Sequence, residues 1–120
     1  MPRILIADSE ILIRQVLRRL IHRWYPNAEI ETYASAPVLL DRCAAGQPDC
    51  LIVDLGLSGL AEPATRERLS ALAVRVPMLT LLIHPSEGPC ARRLGSSAVV
   101  DKPFDVNVLR AALARALRMG

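Results

Sequence analysis

The sequence predicts an α/β domain built on a five-stranded parallel sheet with helices on both faces. Three observations carry the prediction. Apolar runs of strand length (RILIAD, AEIETY, CLIVD, MLTLLI and AVV) alternate with stretches of helical periodicity. The run Cys50–Val53 is continuously apolar, as expected of a central parallel strand buried on both faces. And 120 residues, 52% hydrophobic and 22% charged, suffice for one domain with one core and are too apolar for disorder. Right-handed crossovers then place helices on both sides of the sheet.

Taken in order, Arg3–Asp8 reads as a buried strand that ends in an acid. A helix follows over about Glu10–Trp24, with Ile13, Val16, Leu17, Leu20, Ile21 and Trp24 at helical spacing and Asp8 or Ser9 as its cap. Pro26 and Asn27 stop it. Ala28–Tyr33 alternates weakly and reads as a less buried strand. Ser35 opens a second helix, with Pro37 in its first turn and Gly46 after its end. Cys50–Val53 runs into Asp54, and the loop LGLSG leads to a helix over about Pro63–Ala73. Met78–Ile83 is the fourth strand and Ala98–Val100 a short fifth. Asp105 caps a last helix to about Arg118, with Leu109, Leu113 and Leu117 on one stripe. Between strands four and five, Pro85, Gly88 and Pro89 leave room only for a short helix, Pro89–Leu94.

The apolar runs break at Asp54 or Pro77, well short of the roughly 18 residues of a membrane span, and the start lacks the core of a signal peptide. A cytoplasmic protein is expected. Three cysteines, Cys43, Cys50 and Cys90, without a CxxC pair read as buried reduced thiols. A net charge of +3 does not argue for nucleic-acid binding, and none is expected. The chain has fourteen arginines and a single lysine, Lys102. A lone compact ammonium among planar guanidinium forks marks a position where the point charge matters.

In open parallel sheets, chemistry gathers at the carboxyl ends of the strands. Here those ends carry Asp8-Ser9-Glu10, Asp54, His84 and Asp101-Lys102. If strands one and three are neighbours, Asp8 and Asp54 meet at one rim, and two such charges need a cation between them. Lys102 is one and a hard metal ion the other; Mg²⁺ suits an open carboxylate cleft. A carboxylate beside Mg²⁺ and lysine can attack phosphorus to give an aspartyl phosphate.

The segments IADSE, DCLIVDLGLSG and VVDKPF, in this order and spacing, resemble the three signatures of the response-regulator receiver domain of two-component signalling. The resemblance spans Arg3 to about Arg118, so residues 1–120 are one receiver domain. It implies the flavodoxin-like strand order 2-1-3-4-5 with five helices. It implies Asp54 as the acceptor of a phosphoryl group from a histidine kinase or phosphotransfer protein. Lys102 would pair with the phosphoryl oxygens ahead of a cis proline, Pro103. Asp8, Asp54 and the backbone carbonyl of Gly56 would hold Mg²⁺. A receiver also implies an output domain or partner protein, and a homodimer is compatible with it. The domain is expected to be no enzyme.

Four positions depart from the family pattern. The second acid of the metal pair is Ser9, a poorer ligand, with Glu10 adjacent as a substitute. The switch hydroxyl is Leu82, with Thr80 two residues earlier on the same face. The small residue after it is Ile83, and the aromatic of strand five is Val99. Weak Mg²⁺ binding and damped switching follow, and the alternative is a degenerate receiver acting as a phosphorylation-independent interaction domain. The short helix between strands four and five shifts the expected contact surface to the first and fifth helices. Enzymes on the same fold fit less well: ADSEIL is no phosphate loop, Gly56 stands where an aspartyl-phosphate phosphatase has its second acid, and His22 and His84 have no triad partners.

Overall fold

The computed structural model describes residues 1–119; Gly120, the last residue of the expected domain, lies outside the described residues. The strands are β1 (Arg3–Ala7), β2 (Glu29–Tyr33), β3 (Cys50–Asp54), β4 (Met78–Leu82) and β5 (Ala98–Asp101). The α-helices are α1 (Ile11–Trp24), α2 (Ala36–Ala45), α3 (Pro63–Ala73), α4 (Gly88–Arg93) and α5 (Val106–Met119). All strand pairs are parallel and the order is β2-β1-β3-β4-β5, as expected.

The pleat sorts the core into two layers. Leu5, Ala7, Leu51, Val53 and Met78 point to the side covered by α2 and α3. Ile4, Ile6, Cys50, Ile52, Leu79 and Leu81 point to the side covered by α1 and α5, where Leu17, Ile21, Leu109 and Leu113 meet them. Every residue of β3 and β4 is buried, whereas β2 is a partly exposed edge. The continuous apolar runs thus mark the inner strands, and the weaker run marks the edge.

The helix starts differ from expectation in their chemistry. Neither Asp8 nor Ser9 caps α1. Its N-cap is Glu10, whose own side chain makes no capping bond, and the Asp8 carboxylate accepts from the Glu10 N–H at 2.8 Å. Ser35 stands at the N-cap of α2 without a side-chain capping bond, and its backbone pairs in a β-bridge with Ser58. Asp105 does cap α5, accepting from the N–H groups of Asn107 (2.8 Å) and Val108 (3.2 Å). Between β4 and β5 the prolines produce a 3₁₀ turn, Pro85–Glu87, and then only six residues of α4. The turn is held by Glu87, whose Oε1 accepts from the N–H of Ile83 (3.0 Å) and of His84 (2.9 Å).

Gly59, within the loop after β3, has φ +86, and a Cβ there would stand 2.7 Å from Pro37 Cδ. Only glycine combines that left-handed backbone with so close an approach, so the loop is seated against the start of α2.

The cysteines are free, but not all are buried. Cys43 and Cys50 are; burial raises both thiols, that of Cys50 to about 12. Cys90 is partly exposed, and its Sγ accepts from Arg66 Nη2 at 2.8 Å. It sits on a helix of only six residues, too short to cover it. Treating the native protein with iodoacetamide should therefore modify Cys90 first, with Cys50 labelled only on unfolding. Peptide mapping that found Cys50 labelled in the native state would contradict this burial.

Candidate functional site

The sheet register builds the site. Ala7 pairs with Val53, so Asp8, one step further, stands level with Asp54 at the carboxyl rim. Leu82 pairs with Asp101, and the Lys102 N–H donates to Leu82 O at 2.7 Å, which aims the lysine back over β3 and β1. The Lys102–Pro103 peptide is cis, as the resemblance implies. Asp8 is pinned through its backbone: its N–H donates to Tyr33 O (3.1 Å), and its carbonyl accepts from Arg14 Nη1 (2.6 Å).

Lys102 Nζ lies 2.7 Å from Asp8 Oδ2, 3.5 Å from Asp54 Oδ1 and 3.7 Å from Glu10 Oε1. Asp8 is fully buried, Asp54 is 4% exposed, and the lysine side chain 9%. Three carboxylates thus share one ammonium in a largely dry rim. The ammonium is closer to Asp8 than to the expected acceptor Asp54. Glu10 reaches the cluster from its exposed position, which its place in the sequence does not reveal. Ser9 turns the other way: its Oγ accepts from the Ser58 N–H at 3.2 Å and ties the loop after β1 to the loop after β3.

Electrostatics follow from this crowding. Burial raises the pKa of Asp54, and the neighbouring Asp8 charge raises it further, against the opposing pull of Lys102 and the Gly56 N–H (3.3 Å to Oδ1). Burial works to lower Lys102, but the Asp8 contact and the charges of Asp54, Asp8 and Glu10 outweigh it and leave the ammonium above its ordinary range. An acid whose pKa is raised on folding binds protons more tightly in the folded state, so its ionisation subtracts from stability as pH rises from the unfolded value of 3.8 through the folded one. Asp54→Asn should therefore stabilise the fold at pH 7, with the gain vanishing as pH falls below 4. Urea unfolding at both pH values checks the sign.

The oxygen donors suit a hard cation. Asp8 Oδ2 and Lys102 Nζ, though at ion-pair distance, complete no hydrogen bond of proper geometry, so a buried carboxylate oxygen retains accepting capacity. Asp8, Asp54 and Glu10 are the carboxylates gathered here; of Gly56, the N–H faces Asp54 Oδ1. Among the described residues no group of three or more His, Cys, Asp or Glu side chains forms a metal cage. The set fits Mg²⁺, which keeps several waters, better than a metal that needs a full protein cage.

The positions that depart from the family pattern lie as follows. Leu82 is buried and offers no donor; Ile83 is exposed and Val99 partly so. Thr80 does not replace the hydroxyl of position 82. It is fully buried two residues deeper in β4, opposite Val53, and its Oγ1 is engaged with Ser96 Oγ at 2.8 Å. Ser96 in turn donates to Ala98 O (2.7 Å), which makes a polar knot under β4 and β5. His84 is exposed in the turn after β4 and does not join the cluster.

The family model of the response regulator receiver domain matches residues 4–114. The chain belongs to the response regulator receiver domain family. Receiver domains of this kind serve two-component signalling, interact with histidine kinases and output domains, and generally bind Mg²⁺ at the phosphorylation site. Solved structures agree on the fold. A response regulator receiver protein from Burkholderia phymatum superposes with TM-score 0.80 at 24% identity, over 98% of this chain and 95% of that one. The signal receiver domain of an HD domain-containing protein from Pseudomonas fluorescens Pf-5 gives TM-score 0.84 at 24% identity, over 98% and 95%. NtrX from Brucella abortus gives 0.82 at 22% identity; 98% of this receiver matches 26% of that chain. A comparison with curated proteins gives no match. In the receiver no described helix is long and apolar enough to cross a membrane.

Proposed function

We propose that this receiver is cytoplasmic and accepts a phosphoryl group on Asp54 from a phosphohistidine of a histidine kinase or phosphotransfer protein, with weak Mg²⁺ binding and damped switching. The observation that carries the reading is the convergence of Asp54, Asp8 and the lone lysine at one rim, with Nζ 3.5 Å from Asp54 Oδ1. Oδ1 faces Lys102 and the Gly56 N–H, which leaves Oδ2 to attack phosphorus. The new O–P bond forms as the P–N bond to the donor imidazole breaks, and the imidazole, already protonated on its other ring nitrogen, leaves neutral. Lys102, held over the rim by Asp8, stabilises the negative charge that gathers on the phosphoryl oxygens. Mg²⁺, when bound, neutralises charge on the transferring group. The domain on this reading is a stoichiometric acceptor, not an enzyme that turns over a free substrate.

Incubation with acetyl phosphate and Mg²⁺ tests the reading. Mass spectrometry should find one added phosphoryl group, labile to hydroxylamine and absent from Asp54→Asn. Calorimetry should find weak Mg²⁺ binding that Ser9→Asp tightens, since the change restores an anionic oxygen. A second reading, a phosphorylation-independent interaction domain, draws on Leu82 and on Thr80 being spoken for by Ser96. Failure of both acetyl phosphate and beryllofluoride to act on the folded protein would decide for it.

A further inference from the structure

The carboxyl rim has ties as well as charges. The loop after β3, residues 55–62, is anchored to the core by two buried side chains, Leu57 and Leu60. Two turn bonds fold it over itself: Leu57 N–H to Asp54 O and Leu60 N–H to Leu57 O, each 3.0 Å. Ser58 lies between the leucines and is exposed, yet both of its backbone polar groups are engaged. Its carbonyl accepts from the Ala36 N–H at 2.9 Å, at the start of α2, and its N–H donates to Ser9 Oγ at 3.2 Å. One residue thus joins three loops of the rim, those after β1, β2 and β3.

The tie to Ser9 differs in kind from the others. The bond to Ala36 runs from backbone to backbone and depends on no side chain, whereas the bond to Ser9 needs an acceptor on the side chain of position 9. The carboxylates on either side of it, Asp8 and Glu10, face Lys102, so the hydroxyl is what this loop offers to the loop after β3. The two loops so joined are those to which the receiver pattern assigns the metal, through Asp8 on one and Gly56 on the other. Asp54 lies at the base of the second: its Oδ1 accepts from the Gly56 N–H at 3.3 Å, two residues ahead of Ser58.

We propose that Ser9 is a positioning residue whose hydroxyl makes, without a metal, the link between the loops after β1 and β3, so that the Gly56 N–H is held against Asp54 before Mg²⁺ binds. The residue that stands where the family pattern has an acid is then a clip and not a weakened ligand. The charge already present explains the choice. Asp8, Asp54 and Glu10 share one ammonium, and a fourth carboxylate would add repulsion whenever the ion is absent. A neutral hydroxyl accepts the Ser58 N–H and adds no charge. On the reading of Asp54 as acceptor, the clip also readies the rim for phosphoryl transfer; its geometry is independent of that reading.

Solvent-exchange NMR of the whole domain, first free of metal, tests the clip in the parent, Ser9→Ala and Ser9→Thr. In Ser9→Ala the Ser58 and Gly56 amides should exchange about fivefold faster than in the parent, the scale of one neutral hydrogen bond. Ser9→Thr keeps the hydroxyl and adds a methyl group at an exposed position, and should stay within about twofold of the parent. Saturating Mg²⁺ should bring Ser9→Ala back to the parent's rates and change the parent's own by less than about twofold. Amides of β4 should exchange alike in all three proteins, which separates loss of the clip from general loosening. With Mg²⁺ well below saturation, acetyl phosphate should modify Ser9→Ala about fivefold more slowly than the parent, and the gap should close at saturation. Metal-free exchange in Ser9→Ala equal to the parent's, or Ser9→Thr behaving like Ser9→Ala, would overturn the proposal. So would an Mg²⁺ effect as large in the parent as in Ser9→Ala, because the ion would then make the link. An exchange pattern as expected with no phosphoryl uptake by the parent would leave the clip standing and remove the reading of Asp54.

Discussion

Lys102→Met should destabilise the domain by about 3–5 kcal/mol at pH 7, more than any other single change at the rim. The size follows from what stays behind. Asp8 is fully buried and Asp54 nearly so, and removing the ammonium 2.7 Å from Asp8 leaves two buried carboxylates without their cation. Methionine keeps most of the side-chain volume, so the loss reports charge rather than a cavity. The pH dependence separates the two causes. In the variant the acids bind protons more tightly when folded, so its deficit should shrink as pH falls towards 4.5. In the parent the raised Lys102 pKa acts in the other direction: its contribution is complete below the ordinary lysine value of 10.5 and is lost as pH rises through the folded one. Urea unfolding of both proteins across this range is the check; a deficit that did not change with pH would point to packing instead.

Leu82→Thr should have the second-largest effect, and in two opposite senses. Leu82 is buried at the end of β4, so trimming it and burying a hydroxyl should cost about 2–3 kcal/mol. The same hydroxyl, next to the Lys102 backbone, supplies the donor that the parent lacks. A ligand shifts an equilibrium only through contacts that differ between the two states, and a hydrogen bond to a charged group contributes roughly 1.5–3 kcal/mol. Beryllofluoride should therefore perturb amide signals in the variant as far as α4 and β5, while in the parent the changes stay near Asp54. Equal responses in the two proteins would show that the signal does not pass through position 82.

Much of this was legible in the sequence because burial and backbone chemistry are local there. The apolar runs located all five strands, the prolines at 85 and 89 shortened α4, and Asp105 sits where a cap should. Strand ends shifted by a residue where the pattern is silent: Asp8 looks like the end of β1 but is already turned into the cluster, and Asp101 extends β5 because its backbone still pairs with Leu82. The acids and lysine of the site could be found because parallel strands deliver their carboxyl ends to one rim. What could not be read was partnership. Nothing local tells Glu10 to reach Lys102, Ser9 to turn to Ser58, or Thr80 to find Ser96 sixteen residues on. Those choices depend on side chains brought together only by the folded sheet. The Cys90 exposure was missed for a similar reason, since the length of a helix decides what it covers.

The turn after β4 is preorganised. Glu87 accepts from the N–H groups of both Ile83 and His84, so the segment beside the carboxyl rim is held in one shape by its own side chain. A protein that accepts the turn in this shape meets no ordering cost there, while one that needs another shape must first displace a carboxylate from two donors. A rigid turn of this kind favours whatever fits it as it stands over anything that must reshape it.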